Sequence, residues 1–354
     1  MNKKHQLLVV EDSPANIDVL FAVLAGEYDL RVAVSGEIAL DVLQQGALPD
    51  LVLLDIMLPG IDGYEVCRQL KKNPRTRKIG IIFLSALSDS ANQAKGLNLG
   101  AQDYISKPFD PAIVRARVRT QLELKSYRDH LEQQIAQRTD ALLHAQEATI
   151  ASMAVIAEYR DPETGAHIQR TKEYVRLLSM ELEHQYHDLA AEINIDYLAQ
   201  AAPLHDIGKV AIPDAVLLKN ARLNASEFAL MQQHTIYGSD AIRRTVEICG
   251  PSQLLHTAAE IAEFHHEKWD GSGYPHGLKE EKIPLSARLM AVADVYDALI
   301  SKRPYKQSFS HERAVEIMLN GDGYTSPEHF DPRVLECFAA MHQQLHTVAH
   351  QFAD

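Results

Sequence analysis

The chain has few cysteines, no long apolar run and no excess of positive charge. Each absence removes a class of function. The three cysteines, Cys67, Cys249 and Cys337, are scattered with no CxxC pair. A disulfide framework is thereby excluded, and a reducing compartment is expected. No stretch approaches the ~20 apolar residues of a membrane span. The opening MNKKHQLLVVED reaches acid directly after Leu7–Val10, too early for the core of a secretion signal. A cytoplasmic protein with no membrane insertion is expected. Lys and Arg number 35 against 48 Asp and Glu, a formal net charge of −13. Such a balance argues against DNA as a partner. The 354 residues are long enough for two or more domains, each with its own core.

The first third alternates short apolar runs with helical patterns. Leu7–Val10, Arg31–Val34, Leu51–Leu54, Ile81–Leu84 and Asp103–Ile105 read as strands. Leu7–Val10, Leu51–Leu54 and Ile81–Leu84 are continuous apolar runs rather than alternations, as buried parallel strands are. Helical patterns over Pro14–Leu24 and Glu37–Gln44 lie between them. A doubly wound, flavodoxin-like α/β sheet is predicted. Polar residues cluster at the C-terminal ends of the strands: Glu11 and Asp12, then Asp55, Ser85 and Lys107. That edge of an open parallel sheet carries the site. A carboxylate trio there suits a hard cation such as Mg²⁺, with Asp55 placed to accept a phosphoryl group.

The motifs VVEDSP, LLDIMLPGIDGYEVC, FLSA and YISKPF resemble those of a response-regulator receiver domain over residues 5–122. The resemblance implies phosphorylation at Asp55 by a sensor histidine kinase. It implies Mg²⁺ on Glu11, Asp12, Asp55 and the Met57 carbonyl, and Ser85, Tyr104 and Lys107 as switch residues. It also implies a cis Lys107-Pro108 bond.

Neither glycine nor proline occurs between Pro111 and Pro162. That span is far longer than a typical globular helix. Leu124 and Leu131 repeat at seven, as do Ile135 and Leu142, with a shift of four between the series. This is the pattern of a coiled coil with a stutter, and a parallel homodimer is expected through it.

From about Ala151 strand-like alternation is rare, and an all-α bundle is predicted. Two adjacent pairs stand out, His205-Asp206 in LHDIGK and His265-His266 in FHHEKWDGSGYP. Neighbours on a helix point about 100° apart. Such pairs therefore suit a cluster in which one residue serves one metal ion and its neighbour the next. Clusters of that kind hydrolyse phosphate esters. Glu163 and His167 are four apart and fit one helical face, and His234, Asp294 and Asp297 follow. His with Asp or Glu and without Cys suits iron, manganese or another borderline metal. His184, His187, His256, His276, His311 and the C-terminal histidines read as ordinary surface or core residues. The basic run Lys302–Lys306 follows Asp294 and suits phosphate.

Together HDIGK, HHEKWDGSGYPHGL and ADVYDALISKRPYK resemble the HD-GYP cyclic-di-GMP phosphodiesterases over about 150–340. The resemblance implies a helical bundle with two or three metal ions, iron or manganese. His205, Asp206, His234, His265, His266 and Asp294 would be the ligands, and Glu163 with His167 would hold a third ion. Lys209 would assist at the metal-bound or scissile phosphate, and would be catalytic together with His205 and Asp206. Arg303, Lys306, Tyr274 and Asp297 would face the substrate. One departure is Glu280, where the family commonly has glycine. The chain is expected to divide into a receiver at 1–122, a helical linker at 123–150 and an HD-GYP domain at 151–354. The expected activity is phosphorylation-regulated hydrolysis of cyclic-di-GMP to linear pGpG, with GMP after a second cut. A non-catalytic adaptor and an enzyme for a different cyclic dinucleotide are the rival readings.

Overall fold

The computed structural model describes residues 4–86, 95–159, 165–190, 194–301 and 308–352. The chain divides into two compact units, Met1–Asp140 and Ala141–Asp354.

The first unit holds one parallel sheet of strands β1 (Gln6–Val10), β2 (Asp29–Ala33), β3 (Leu51–Asp55), β4 (Gly80–Ala86) and β5 (Asp103–Lys107). Their order is β2-β1-β3-β4-β5, the flavodoxin-like winding the apolar runs predict. Successive residues of a strand point to opposite faces, so each run feeds two cores. Leu7, Val9, Leu53 and Ile82 pack on one face, and Leu8, Val10, Leu54 and Ile81 on the other. Helices α1 (Pro14–Leu24), α2 (Gly36–Gln45) and α3 (Gly63–Lys72) connect the strands. Ser35 and Asp62 cap α2 and α3 by accepting from Ile38 and Glu65 amides.

Helix α4 runs without interruption over Pro111–Glu158, 48 residues. Its start is anchored by Val114, Val118 and Leu122 in the first unit's core. Further along, Leu124, Leu131, Ile135 and Leu142 are 57, 39, 64 and 70% exposed. The heptad positions are therefore apolar and uncovered within this chain. No described helix is long and apolar enough to cross a membrane.

The rest of the second unit is helical among the described residues. It contains α5 (Gly165–Gln185), α6 (His187–Ala190), α7 (Ile195–Ala201), α8 (Asp214–Leu217) and α9 (Ala225–Met231). These are followed by α10 (His234–Cys249), α11 (Gln253–Phe264), α12 (Leu285–Ile300), α13 (His311–Asn320) and α14 (Pro332–Gln351). Two 3-10 turns, Ala202–Leu204 and Ile207–Ala211, interrupt the chain between α7 and α8. The bundle core joins Tyr174, Tyr296 and Phe338 through edge-on ring contacts, each with centroids 5.3 Å apart.

Candidate active site

In the first unit the strand register builds the site. Val10 pairs with Leu54, so Glu11 and Asp55 emerge side by side. Asp55 pairs with Leu84 and Ala86 with Lys107, which brings Ser85 and Lys107 to the same edge. Ligand oxygens of Glu11, Asp12 and Asp55 lie within 4.8 Å of one another. Glu11 and Asp55 are buried while Asp12 is exposed. The Lys107 ammonium lies 2.8 Å from Glu11 and 2.7 Å from Asp55. Burial works against that charge, but the two carboxylates outweigh it and raise the Lys107 pKa. The Met57 amide donates to Asp55 Oδ1 at 3.2 Å, and the Ser85 hydroxyl finds no partner among the described residues. Tyr104 lies under the Arg117 guanidinium, 5.4 Å from its ring centre. Gly63 permits α3 to start against the end of β3, since a Cβ there would strike the Asp55 carbonyl oxygen. The Lys107-Pro108 bond is cis.

In the second unit seven side chains converge from five places. Asp206, His234, His265 and His266 form one group, and His167, His205 and Asp294 a second. Within each group the ligand atoms lie within 4.8 Å of one another. The adjacent pair His205-Asp206 is divided between the groups, with His205 Nε2 3.3 Å from Asp206 Oδ2. The other adjacent pair behaves differently from the expectation that neighbours serve different ions. His265 and His266 stay in one group, their ring centres 4.0 Å apart. The physical reason is that α11 ends at Phe264 and His265 is its C-cap. His266 lies beyond the helix, where the helical angle between neighbours does not apply.

The imidazoles are held so that Nε2 faces the centre. His205, His234 and His265 each turn Nδ1 toward a backbone carbonyl, of Ala202, Met231 and Ile261, at 2.7–2.9 Å. His167 turns Nδ1 to Asp297 Oδ2 at 2.8 Å. The Nε2 atoms of His167, His234 and His265 and the Oδ1 of Asp206 are buried without a well-aligned hydrogen bond among the described residues. His234 Nε2 and Asp206 Oδ1 lie 3.2 Å apart. Buried polar atoms without aligned hydrogen bonds are costly, and metal ions held among them would satisfy these atoms together. The donor set thus fits borderline divalent ions.

Charge arrangement agrees with that fit. Burial opposes ionisation of Asp206, yet Lys209 at 2.8 Å and the His205 imidazole hold its carboxyl well below the usual carboxylate range. Burial and the neighbouring His266 push His265 far down. Burial and His234 push His266 down to about 3. Neutral imidazoles and an ionised carboxylate are the forms that bind metal. Tyr274 stacks near His266 with ring centres 4.7 Å apart. Burial pushes its phenol upward, so it stays neutral.

Gly208 explains how HDIGK meets His234. A Cβ at Gly208 would collide with the His234 carbonyl oxygen and crowd the Gly238 amide. Only glycine lets the 3-10 turn that follows Asp206 lie against α10.

Residues 151–334 match the family described as the HD domain. This chain belongs to the HD-domain family. Residues 7–119 match the response regulator receiver domain, so a receiver precedes the HD domain. A probable cyclic di-GMP phosphodiesterase of Vibrio cholerae serotype O1 is 45% identical over 358 residues, 98% of this chain and 80% of that protein. The cyclic di-GMP phosphodiesterase response regulator RpfG of Xanthomonas campestris pv. campestris is 35% identical, covering 86% of this chain and 78% of its own length. A 3'3'-cGAMP-specific phosphodiesterase 2 of Vibrio cholerae serotype O1 is 36% identical, covering 76% of this chain and 47% of that protein.

Within the HD domain, Asp297 differs from its sequence expectation. The resemblance implies that it faces the substrate, whereas its carboxylate is buried against His167. Oδ1 accepts from Arg170 Nε at 2.7 Å, and Oδ2 accepts from the second Arg170 nitrogen at 3.0 Å and Ser301 at 3.0 Å. Burial opposes its charge, but His167 and Arg170 lower its pKa to about 2. Asp297 therefore fixes the orientation of the His167 ring. Arg170 and Glu267 were missed in the sequence. Glu267 accepts the His276 and Leu278 amides at 2.7 and 2.9 Å, fixing the loop after Tyr274. Its place two residues after His265 was a usable signal. Glu163, Arg303 and Lys306 lie outside the described residues.

Proposed function

We propose that this chain hydrolyses cyclic-di-GMP, opening one phosphodiester bond to give pGpG, with GMP from a second cut. It is a metal-dependent phosphodiesterase of the HD-domain family with a receiver domain. The observation that carries the reading is the pair of adjoining ligand groups linked by His205-Asp206, in a chain whose Vibrio relative matches 98% of its length. When bound, the metal ions supply Lewis acidity and a nucleophile drawn from water at neutral pH. His205, Asp206, His234, His265, His266, His167 and Asp294 hold them, and iron or manganese is favoured by the donor types. Glu163 would add a ligand for a third ion. Lys209 places an ammonium beside Asp206 and offers charge to the phosphate. Tyr274 lines the entrance over His266, and Arg303 and Lys306 bind phosphate or guanine.

In the receiver, Glu11, Asp12, Asp55 and the Met57 carbonyl hold Mg²⁺, and a histidine kinase phosphorylates Asp55. Ser85, Tyr104 and Lys107 sense the phosphoryl group. The domains fall at 1–122, 123–150 and 151–354, and the exposed heptad residues of α4 pair in a homodimer. Replacing Leu131 and Ile135 with Lys should halve the mass measured by light scattering.

The deciding assay incubates the full-length protein, loaded anaerobically with iron or with manganese, with cyclic-di-GMP. Appearance of pGpG supports the reading, and no linear product with either metal defeats it. The 36% identical 3'3'-cGAMP-specific relative motivates a second reading, hydrolysis of that mixed dinucleotide. Turnover of 3'3'-cGAMP with none of cyclic-di-GMP would favour it.

A further inference from the structure

A second histidine cluster lies outside the metal centre. Tyr296 follows Asp294 by two positions on α12, about 200° around the helix axis. It therefore leaves the opposite side of the helix from the metal ligands. Its hydroxyl meets His311 Nδ1 at 2.8 Å, and His311 is buried. His311 Nε2 in turn meets His342 Nδ1 at 3.0 Å. His342, His346 and His350 recur at four along α14 and so share one face. The His346 ring stacks on His311 with centroids 4.2 Å apart and planes inclined by 15°. At the outer end, His346 Nε2 and His350 Nε2 face each other at 3.1 Å.

We propose that His346 and His350 chelate a borderline divalent ion of the zinc, nickel or copper class through their Nε2 atoms. Two zinc–nitrogen bonds of about 2.1 Å at a tetrahedral angle span about 3.4 Å. The observed separation is within a few tenths of an ångström of that bite. As a hydrogen bond, the contact needs one ring to carry its proton on Nε2. For chelation that proton moves to Nδ1 of the same ring, so neither imidazole loses charge neutrality. His342 stands one turn earlier on the same face, available as a further donor. The stacked His311, fixed through Tyr296, restrains the orientation of the His346 ring. All donors are imidazoles, in contrast with the mixed set of the catalytic centre, and this favours zinc, copper or nickel over manganese. The inference is independent of the substrate.

The test uses the full-length protein with its catalytic metals retained and quantified, in saturating Mg²⁺. Zinc binding is measured by equilibrium dialysis for the wild type and for His346→Ala/His350→Ala. The expected result is a loss of one zinc equivalent in the variant with basal turnover and helicity unchanged. Equal stoichiometry would overturn the site. A measurement on the wild type alone guards against a misfolded variant. Zinc should slow diethyl pyrocarbonate modification of His346 and His350 at least fivefold relative to the exposed His187. Equal slowing at all three, or none, would also overturn it.

Discussion

In the receiver, Glu11, Asp12 and Asp55 stand at the ends of neighbouring strands, whereas the HD-domain donors converge from α5, the junction of two 3-10 turns, the start of α10, the end of α11 and α12. The first set is all oxygen and is already bridged by Lys107. The second is mostly nitrogen, with several donor atoms buried without an aligned hydrogen bond among the described residues. A sheet edge collects residues by register, so a few short motifs suffice. A bundle collects them by packing, so every helix must be in place before the donors meet. The receiver site is thus suited to an ion that comes and goes with a phosphoryl group. The HD site is suited to ions that stay and complete the structure.

The strongest way to break this contrast is to remove the linked pair. His205→Ala and Asp206→Ala should each lower turnover more than about 100-fold, beyond what loss of an outer partner costs. Metal content should fall with it, measured by elemental analysis. Labelling of Asp55 by a phosphoryl donor should be unchanged. Loss of both properties would mean that the two sites are not separately built.

Asp297→Asn separates metal orientation from substrate contact. As an orienting residue it should cost about 10- to 100-fold in metal affinity or activity. Activity should recover as metal concentration is raised, with KM for the substrate unchanged. A raised KM at full metal occupancy would return Asp297 to the substrate.

The two sites should also communicate. Phosphorylation of Asp55 should change turnover by at least about fivefold, within the usual range of coupling energies. Rates are compared with and without a phosphoryl donor, with Asp55→Asn as the insensitive control. Equal rates would sink the coupling and leave α4 as a tether.

Much of this was readable in the residues, for reasons that differ between the sites. Leu7–Val10 and Leu51–Leu54 announced buried strands, and the acids just past them announced the edge. β2 began earlier than its apolar run, at Asp29, because edge pairing with β1 tolerates polar residues. In the HD domain the motifs contain most of the side chains that converge, but not their grouping. The turn after Phe264 keeps His265 and His266 together, and no periodicity revealed it. Asp297 reaches His167 across 130 positions, a contact that only packing creates. In the sequence the C-terminal histidines read as ordinary surface or core residues. Their partner His311 comes from another helix.

The finest comparison concerns backbone strain beside each site. In the receiver the described residues with left-handed backbone, Gly60 and Gly100, are glycines, with φ of 81° and 97°. In the loop after the HD domain's Gly271–Pro275 turn, Glu280 adopts φ 54° with a side chain. Its amide donates to the Trp269 carbonyl at 3.0 Å, and its carbonyl accepts from Ile283 at 3.1 Å, so the conformation is imposed by the loop. A side chain there costs about 1–2 kcal/mol, part of which is offset because glycine gains freedom in the unfolded chain. Glu280→Gly should therefore raise stability by about 1 kcal/mol. For a unit of this size that is a rise in Tm of about 2–4 °C. Glu280→Ala keeps the Cβ and should give no such gain. If both substitutions stabilise equally in thermal unfolding, the carboxylate and not the backbone is the source of the strain.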